Sequence, residues 1–146
     1  MIVQESKTLR QLIRILVRNL GVLEKDDADN CGITLTQCHA IVEIGRKERI
    51  SLIDLAILLG VDKSAMSRTV NNLVESELVV RDVDPLDRRY VSIALTEQGQ
   101  EVFKNTEESM EIYYLSIFES IPEGKRTQVL ESLQILSDII KDKRGC

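Results

Sequence analysis

The chain has 146 residues, 43% hydrophobic and 29% charged, the balance of one soluble globular domain with a core of its own. No apolar run approaches the ~20 residues of a membrane span, and the N-terminus lacks the apolar stretch of a signal peptide, so the reading is a cytoplasmic protein with no membrane partner. Three cysteines, Cys31, Cys38 and Cys146, are an odd set at uneven spacing; they form no disulfide framework and stay reduced in the cytoplasm.

The net charge is −5, and its distribution matters more than its sign. Residues 1–45 carry 5 basic and 6 acidic groups, residues 46–96 carry 8 and 8, and residues 97–146 carry 6 and 10. The neutral middle can still hold phosphates if its cations face one way, with strong salt dependence. Charge neither vetoes nor argues for a nucleic-acid partner.

From Leu9 the apolar residues Leu9, Leu12, Ile13, Leu16, Val17, Leu20 and Leu23 follow one helical face, and this helix is expected to end between Gly21 and Lys25, before the polar run DDADNCG. Thr34 or Thr36 caps a second helix through Gln37, Ala40, Ile41 and Ile44 to about Gly45, followed by a basic link, RKERI. Ser51 caps a short helix with Leu52, Leu55, Ala56 and Leu59 inward and Gly60 as its stop. Asp62 or Lys63 opens the next, with Met66, Val70, Leu73 and Val74 as the buried stripe and Ser64, Ser67, Arg68, Asn71 and Glu75 opposite. The β-branched runs Leu78–Arg81 and Tyr90–Leu95 read as two strands around a turn, DVDPLDR. Thr96 with Gln98 and Gly99 starts a long helix to about Phe118, and Pro122 stands in the first turn of a last one carrying Val129, Leu130, Leu133, Leu136, Ile139 and Ile140. Both terminal segments carry apolar stripes wider than one buried face needs, which points to a second copy of the chain; a larger core within one chain is the plainer alternative.

Two features carry chemistry. Ser64, Ser67, Arg68 and Asn71 share one helix face: arginine can hold guanine O6 and N7, asparagine can pair with adenine N6 and N7, and serine suits phosphate oxygens. Any solvated helix face contains such residues, so this one gains meaning only from its neighbours in the chain, two strands and a hairpin tip with Asp84, Asp87, Arg88 and Arg89. Arginines on such a loop can enter a narrow minor groove, provided the nearby acids are held, at least one of them by an arginine.

The joined motifs resemble the winged helix-turn-helix of the MarR family of bacterial and archaeal regulators. The matching residues are Leu52, Leu55, Ala56, Leu59, Gly60 and Val61 (L-x-x-L-A-x-x-L-G-V), the run DKSAMSRTVNNLV, the wing D-x-x-D-R-R, and V-x-I-x-L-T-E-x-G from Val91 to Gly99. With the flanking helices the resemblance covers nearly the whole chain. It implies an α+β, predominantly α-helical fold and a single domain, 1–146, with 1–31 and 97–146 as dimerisation helices and 32–96 as the DNA-binding region. It further implies an obligate homodimer, each subunit presenting its recognition helix to half of a pseudo-palindromic operator in double-stranded DNA. Carried over by position, Lys63, Ser64, Ser67, Arg68 and Asn71 face bases and phosphates, and Arg88 and Arg89 belong to the wing. Leu86 departs from the pattern, since many members carry arginine there, which removes a wing contact or an internal salt bridge.

Cys38 and His39 lie on the second helix and Cys31 just before it, bordering the cleft where effector responses of this family often map. As plain structure, Cys38 is a small core residue, Cys31 a loop residue and Cys146 a tail. As sensors, Cys31, Cys38 and Cys146, with His39, could take peroxide or a soft metalloid as effector. One histidine is too few for a zinc site, and no cofactor is expected beyond a thiol-bound metalloid. No phosphate loop, paired metal motif or nucleophile elbow marks an enzyme. The expectation is a ligand- or stress-responsive repressor with a small-molecule or oxidant effector. Its rival is a winged-helix protein-interaction module without specific DNA binding, and salt-dependent binding to promoter DNA separates the two.

Overall fold

The computed structural model describes residues 1–87 and 90–144, the side chains of Asp27 and Arg144 excepted. Arg88, Arg89 and Cys146, named above as wing and sensing residues, lie outside the described residues. Two compact units divide the chain, Met1–Glu107 and the part that begins at Glu108.

The first unit opens with α1, Ile2–Asn30, which continues well past the expected end at Gly21–Lys25. Glycine inside a helix costs only about 1 kcal/mol, and Ala28, farther on, is fully buried, so the polar run is held helical by that anchor. The stop comes at Gly32, whose φ of +74° turns the chain so that Ile33 N–H reaches the Ala28 carbonyl at 3.1 Å. The second helix, α2, Leu35–Lys47, starts in a capping box: Thr34 Oγ1 accepts from Gln37 N–H and Gln37 Oε1 accepts from Thr34 N–H. Its buried side is Cys38, Ala40, Ile41 and Ile44.

The link RKERI, expected as plain connection, ends in a short strand, β1, Ile50–Ser51. Ser51 Oγ accepts from Asp54 N–H at 3.0 Å and so caps α3, Leu52–Leu59. Gly60 closes α3 in the left-handed region (φ +66°), with Val61 N–H on the Ala56 carbonyl. Asp62 then caps α4, Lys63–Glu75, by accepting from Ala65 N–H at 2.8 Å. Met66, Val70 and Leu73 are buried as expected, but Val74 is exposed: one residue beyond Leu73 it has rotated off the stripe.

Strands β2, Val79–Val83, and β3, Val91–Leu95, form with β1 an antiparallel sheet of order β1-β3-β2. Their register pairs Val79 with Leu95, Arg81 with Ile93 and Val83 with Val91, while Ile50 faces Ile93 from the other side. Ile41, Ile44, Ile50, Leu55, Met66, Val70, Leu73, Val79 and Ile93 meet in one core, against which Leu59 and Phe103 also pack. The sheet therefore locks α4 and the hairpin to one body.

Helix α5, Glu97–Ser120, runs from the first unit into the second. Thr96 starts it: Oγ1 accepts from Gly99 N–H and donates to the Glu77 carbonyl. In the second unit Arg126 stacks 5.3 Å from the centre of the Phe118 ring and donates to the carbonyls of Glu119 and Ile121. Pro122 precedes a 3-10 turn, Glu123–Lys125, and the last helix proper, α6, spans Arg126–Arg144. Among the described residues no helix is long and apolar enough to cross a membrane.

Candidate nucleic-acid interface

Helix α4 presents its polar side outward because its apolar side is fixed by the core. Lys63, Ser64, Arg68 and Asn71 are exposed and Ser67 is half-buried, while Met66, Val70 and Leu73 fill the opposite side. The structure thus brings together on one face every residue that the sequence placed there. Arg68 and Lys63 supply positive charge, and the capping carboxylate of Asp62 is turned back to Ala65 N–H.

Beside this face stands the β2–β3 hairpin. Its tip is shaped by Asp84, whose Oδ1 accepts from Leu86 N–H at 2.8 Å and whose own N–H donates to the Tyr90 carbonyl. Leu86 is 97% exposed. A different acid, Asp82 on β2 and not one of the tip acids named from the sequence, is held by an arginine: Arg49 donates from Nη1 to Asp82 Oδ2 and to Ser92 Oγ, both at 2.8 Å. Asp82 and Ser92 are register partners, so Arg49, just before β1, staples the outer face of all three strands.

Sequence reasoning missed two residues, Arg49 and Arg81. Arg81 lies on β2, on the same row as buried Val79, and its Nη2 donates to the side-chain oxygen of Asn71 on α4. A signal was present: in VVRDV a charged residue occupies a row whose other members are apolar.

The sensing residues lie elsewhere in the first unit. Cys31 and Cys38 are thiols outside any disulfide. Cys31, at the α1–α2 corner, is half-buried with Sγ 3.7 Å from Oγ1 of the buried Thr106 on α5. Cys38 is buried in the α2 face, and exposed His39 pairs through Nε2 with Glu24 of α1 at 3.1 Å. Among the described residues no group of three or more His, Cys, Asp or Glu is placed to hold a metal ion.

The family model described as MarR family matches residues 33–91, which holds α2, α3, α4 and β2 and ends at the first residue of β3. A solved structure of MarR is 26% identical, covers 94% of this chain and 93% of its own, and superposes with a TM-score of 0.77. The matched region is similar to the MarR family. A protein of Thauera aromatica assigned as transcriptional regulator of the hcr operon is 33% identical over 79 residues, 54% of this chain; the match spans 48% of that relative's length. FabT of Streptococcus pneumoniae, solved in complex with DNA, is 19% identical, covers 94% of this chain and 98% of its own, and has a TM-score of 0.84, a likeness of fold. By that likeness α3 and α4 correspond to the helix-turn-helix of the family and the β2–β3 hairpin to its wing.

Proposed function

We propose that this chain is a sequence-specific DNA-binding transcriptional regulator of the MarR family, a ligand- or stress-responsive repressor that binds a pseudo-palindromic operator as a homodimer. One observation carries the reading. Lys63, Ser64, Ser67, Arg68 and Asn71 line the outward side of a helix held rigidly beside a wing, in the fold that FabT brings to DNA. By the family resemblance Arg88 and Arg89 are the wing residues that would supply cations to the minor groove. The solved and curated relatives supply the regulatory role, being regulators themselves. Control by a small-molecule or oxidant effector belongs to the same reading. It is supported by Cys31, whose thiol meets Thr106 where the end of α1 turns toward α2, so that one chemical change there touches three helices.

The test is equilibrium binding of the full chain to DNA from immediately upstream of its own gene, against random DNA, over a range of salt. Specific binding should be tighter by ~10³ or more and should weaken steeply as salt rises. Arg68→Ala should cost specific binding roughly 1–3 kcal/mol and leave random DNA nearly unaffected. Equal affinity for both DNAs would overturn the reading and leave a protein-interaction role for the winged helix.

A further inference from the structure

Asn71 stands on the exposed side of α4, yet its side chain is not free to choose its partner. The guanidinium of Arg81 carries only N–H donors, so the atom of Asn71 that meets it is the amide oxygen, and the NH2 group points away. Arg81 is well placed to enforce this. Its backbone is fixed in β2 opposite fully buried Ile93, and its side chain leaves the sheet on the row of Val79, the side on which the helices pack. The contact ties the wing to the recognition helix across ten residues of sequence.

The consequence is chemical. Asparagine recognises adenine by using both ends of the amide, the oxygen accepting from N6 and the nitrogen donating to N7. With the guanidinium bound to one lone pair and holding the oxygen toward β2, Asn71 turns its NH2 group outward, so donors are what it presents first. Adenine's N6 amino group would then face another donor, whereas guanine shows two acceptors, N7 and O6, and no donor on the same edge. Resting on the DNA-binding reading above, we infer that Arg81 is a positioning residue that turns Asn71 from an adenine reader into a guanine reader, and so fixes one base of each half-site.

The experiment selects binding sites from a random duplex library with the full chain and four variants. Asn71→Ala locates the position Asn71 reads, because preference there alone collapses. At that position the unaltered chain and Arg81→Lys, which keeps a donor, should select guanine over adenine by roughly ten-fold. Arg81→Ala, checked for an unchanged melting curve, should move the preference to adenine. Asn71→Asp keeps the partner of Arg81 but removes the NH2, and should lose the guanine preference, which tests the idea even if Arg81→Ala folds poorly. Adenine selected by the unaltered chain, a guanine preference surviving in Arg81→Ala or Asn71→Asp, or no position responding to Asn71→Ala overturns the inference while DNA recognition stands. If the unaltered chain enriches no sequence at all, the DNA-binding reading itself falls and takes the inference with it.

Discussion

A side-chain carbon at Gly99 would overlap the carbonyl oxygen of Leu78 and stand 3.0 Å from the carbonyl carbon. The first turn of α5 is thus pressed against the backbone that leads into β2, and the same corner is tied by Thr96 N–H on that Leu78 carbonyl at 3.0 Å. Gly45 has a softer neighbour: a carbon there would meet the Phe103 ring at 2.6 Å. A ring can turn aside, whereas a backbone carbonyl in a closed corner cannot.

Gly99→Ala should therefore destabilise the protein by about 3 kcal/mol or more, at the upper end of overpacking costs. Gly45→Ala should cost about 1 kcal/mol net, the strain on Phe103 being partly offset by alanine's better helix propensity. Urea unfolding at fixed protein concentration decides between them. Equal midpoints for the two variants would mean that the α5 corner yields as easily as the ring.

The helix-turn-helix was legible because its boundaries use residues with one job each: Ser51 and Asp62 as caps, Gly60 as the left-handed stop. Periodicity then placed Ser64, Arg68 and Asn71 opposite Met66, Val70 and Leu73. Three things were not legible. Strand β1 has two residues, too few for any alternation, and exists only through its pairing with β3. The end of α1 is decided by burial of Ala28, invisible in a run as polar as DDADN. The Arg81–Asn71 contact joins a strand to a helix: the alternation of VVRDV marks Arg81 as out of place on its row, but no spacing rule names Asn71 as its partner.

The wing tip carries its own prediction. Leu86 is 97% exposed, where the resemblance to the family expects arginine. Leu86→Arg should tighten binding to random and specific DNA alike, and should steepen the slope of log K against log salt by ~0.9 if the new cation neutralises one phosphate. Replacing Arg88 and Arg89 together with alanine should flatten that slope by up to ~2 units. Fluorescence anisotropy at several salt concentrations measures both. Slopes unchanged in both variants would keep the wing away from DNA.

Assembly can be tested on the helices alone. Leu9, Leu12 and Leu16 of α1 share one face and are exposed, as are Leu133, Ile139 and Ile140 of α6. Burying a leucine or isoleucine side chain fully is worth roughly 1.5–3 kcal/mol, so faces of this size are expected to hold a second copy at micromolar concentration. Leu12→Glu combined with Ile140→Glu should shift sedimentation from dimer to monomer or to aggregate, and should abolish half-site cooperativity. An unaltered chain that sediments as a monomer at tens of micromolar would contradict the dimer.

The thiols give the last prediction. Reaction needs a thiolate and access to it, and the two described cysteines differ in access: Cys38 is 6% exposed, whereas Cys31 is half-buried. Sequence alone named Cys31, Cys38 and Cys146 together as sensing candidates; of the two described thiols, exposure makes Cys31 the one that a reagent meets first. Any adduct on its sulfur must break the 3.7 Å contact with Thr106, whose hydroxyl is buried and has little room to retreat. Gly32 follows directly with φ +74°, so the strain falls on the corner between α1 and α2. In a Cys146→Ser background, iodoacetamide should label Cys31 well before Cys38, as read by peptide mass spectrometry, and labelling should release DNA. Cys31→Ser preserves a hydroxyl partner for Thr106, and that variant should bind DNA normally and ignore both iodoacetamide and peroxide. Faster labelling of Cys38, or full DNA affinity in protein labelled at Cys31, would remove the corner from any sensing role.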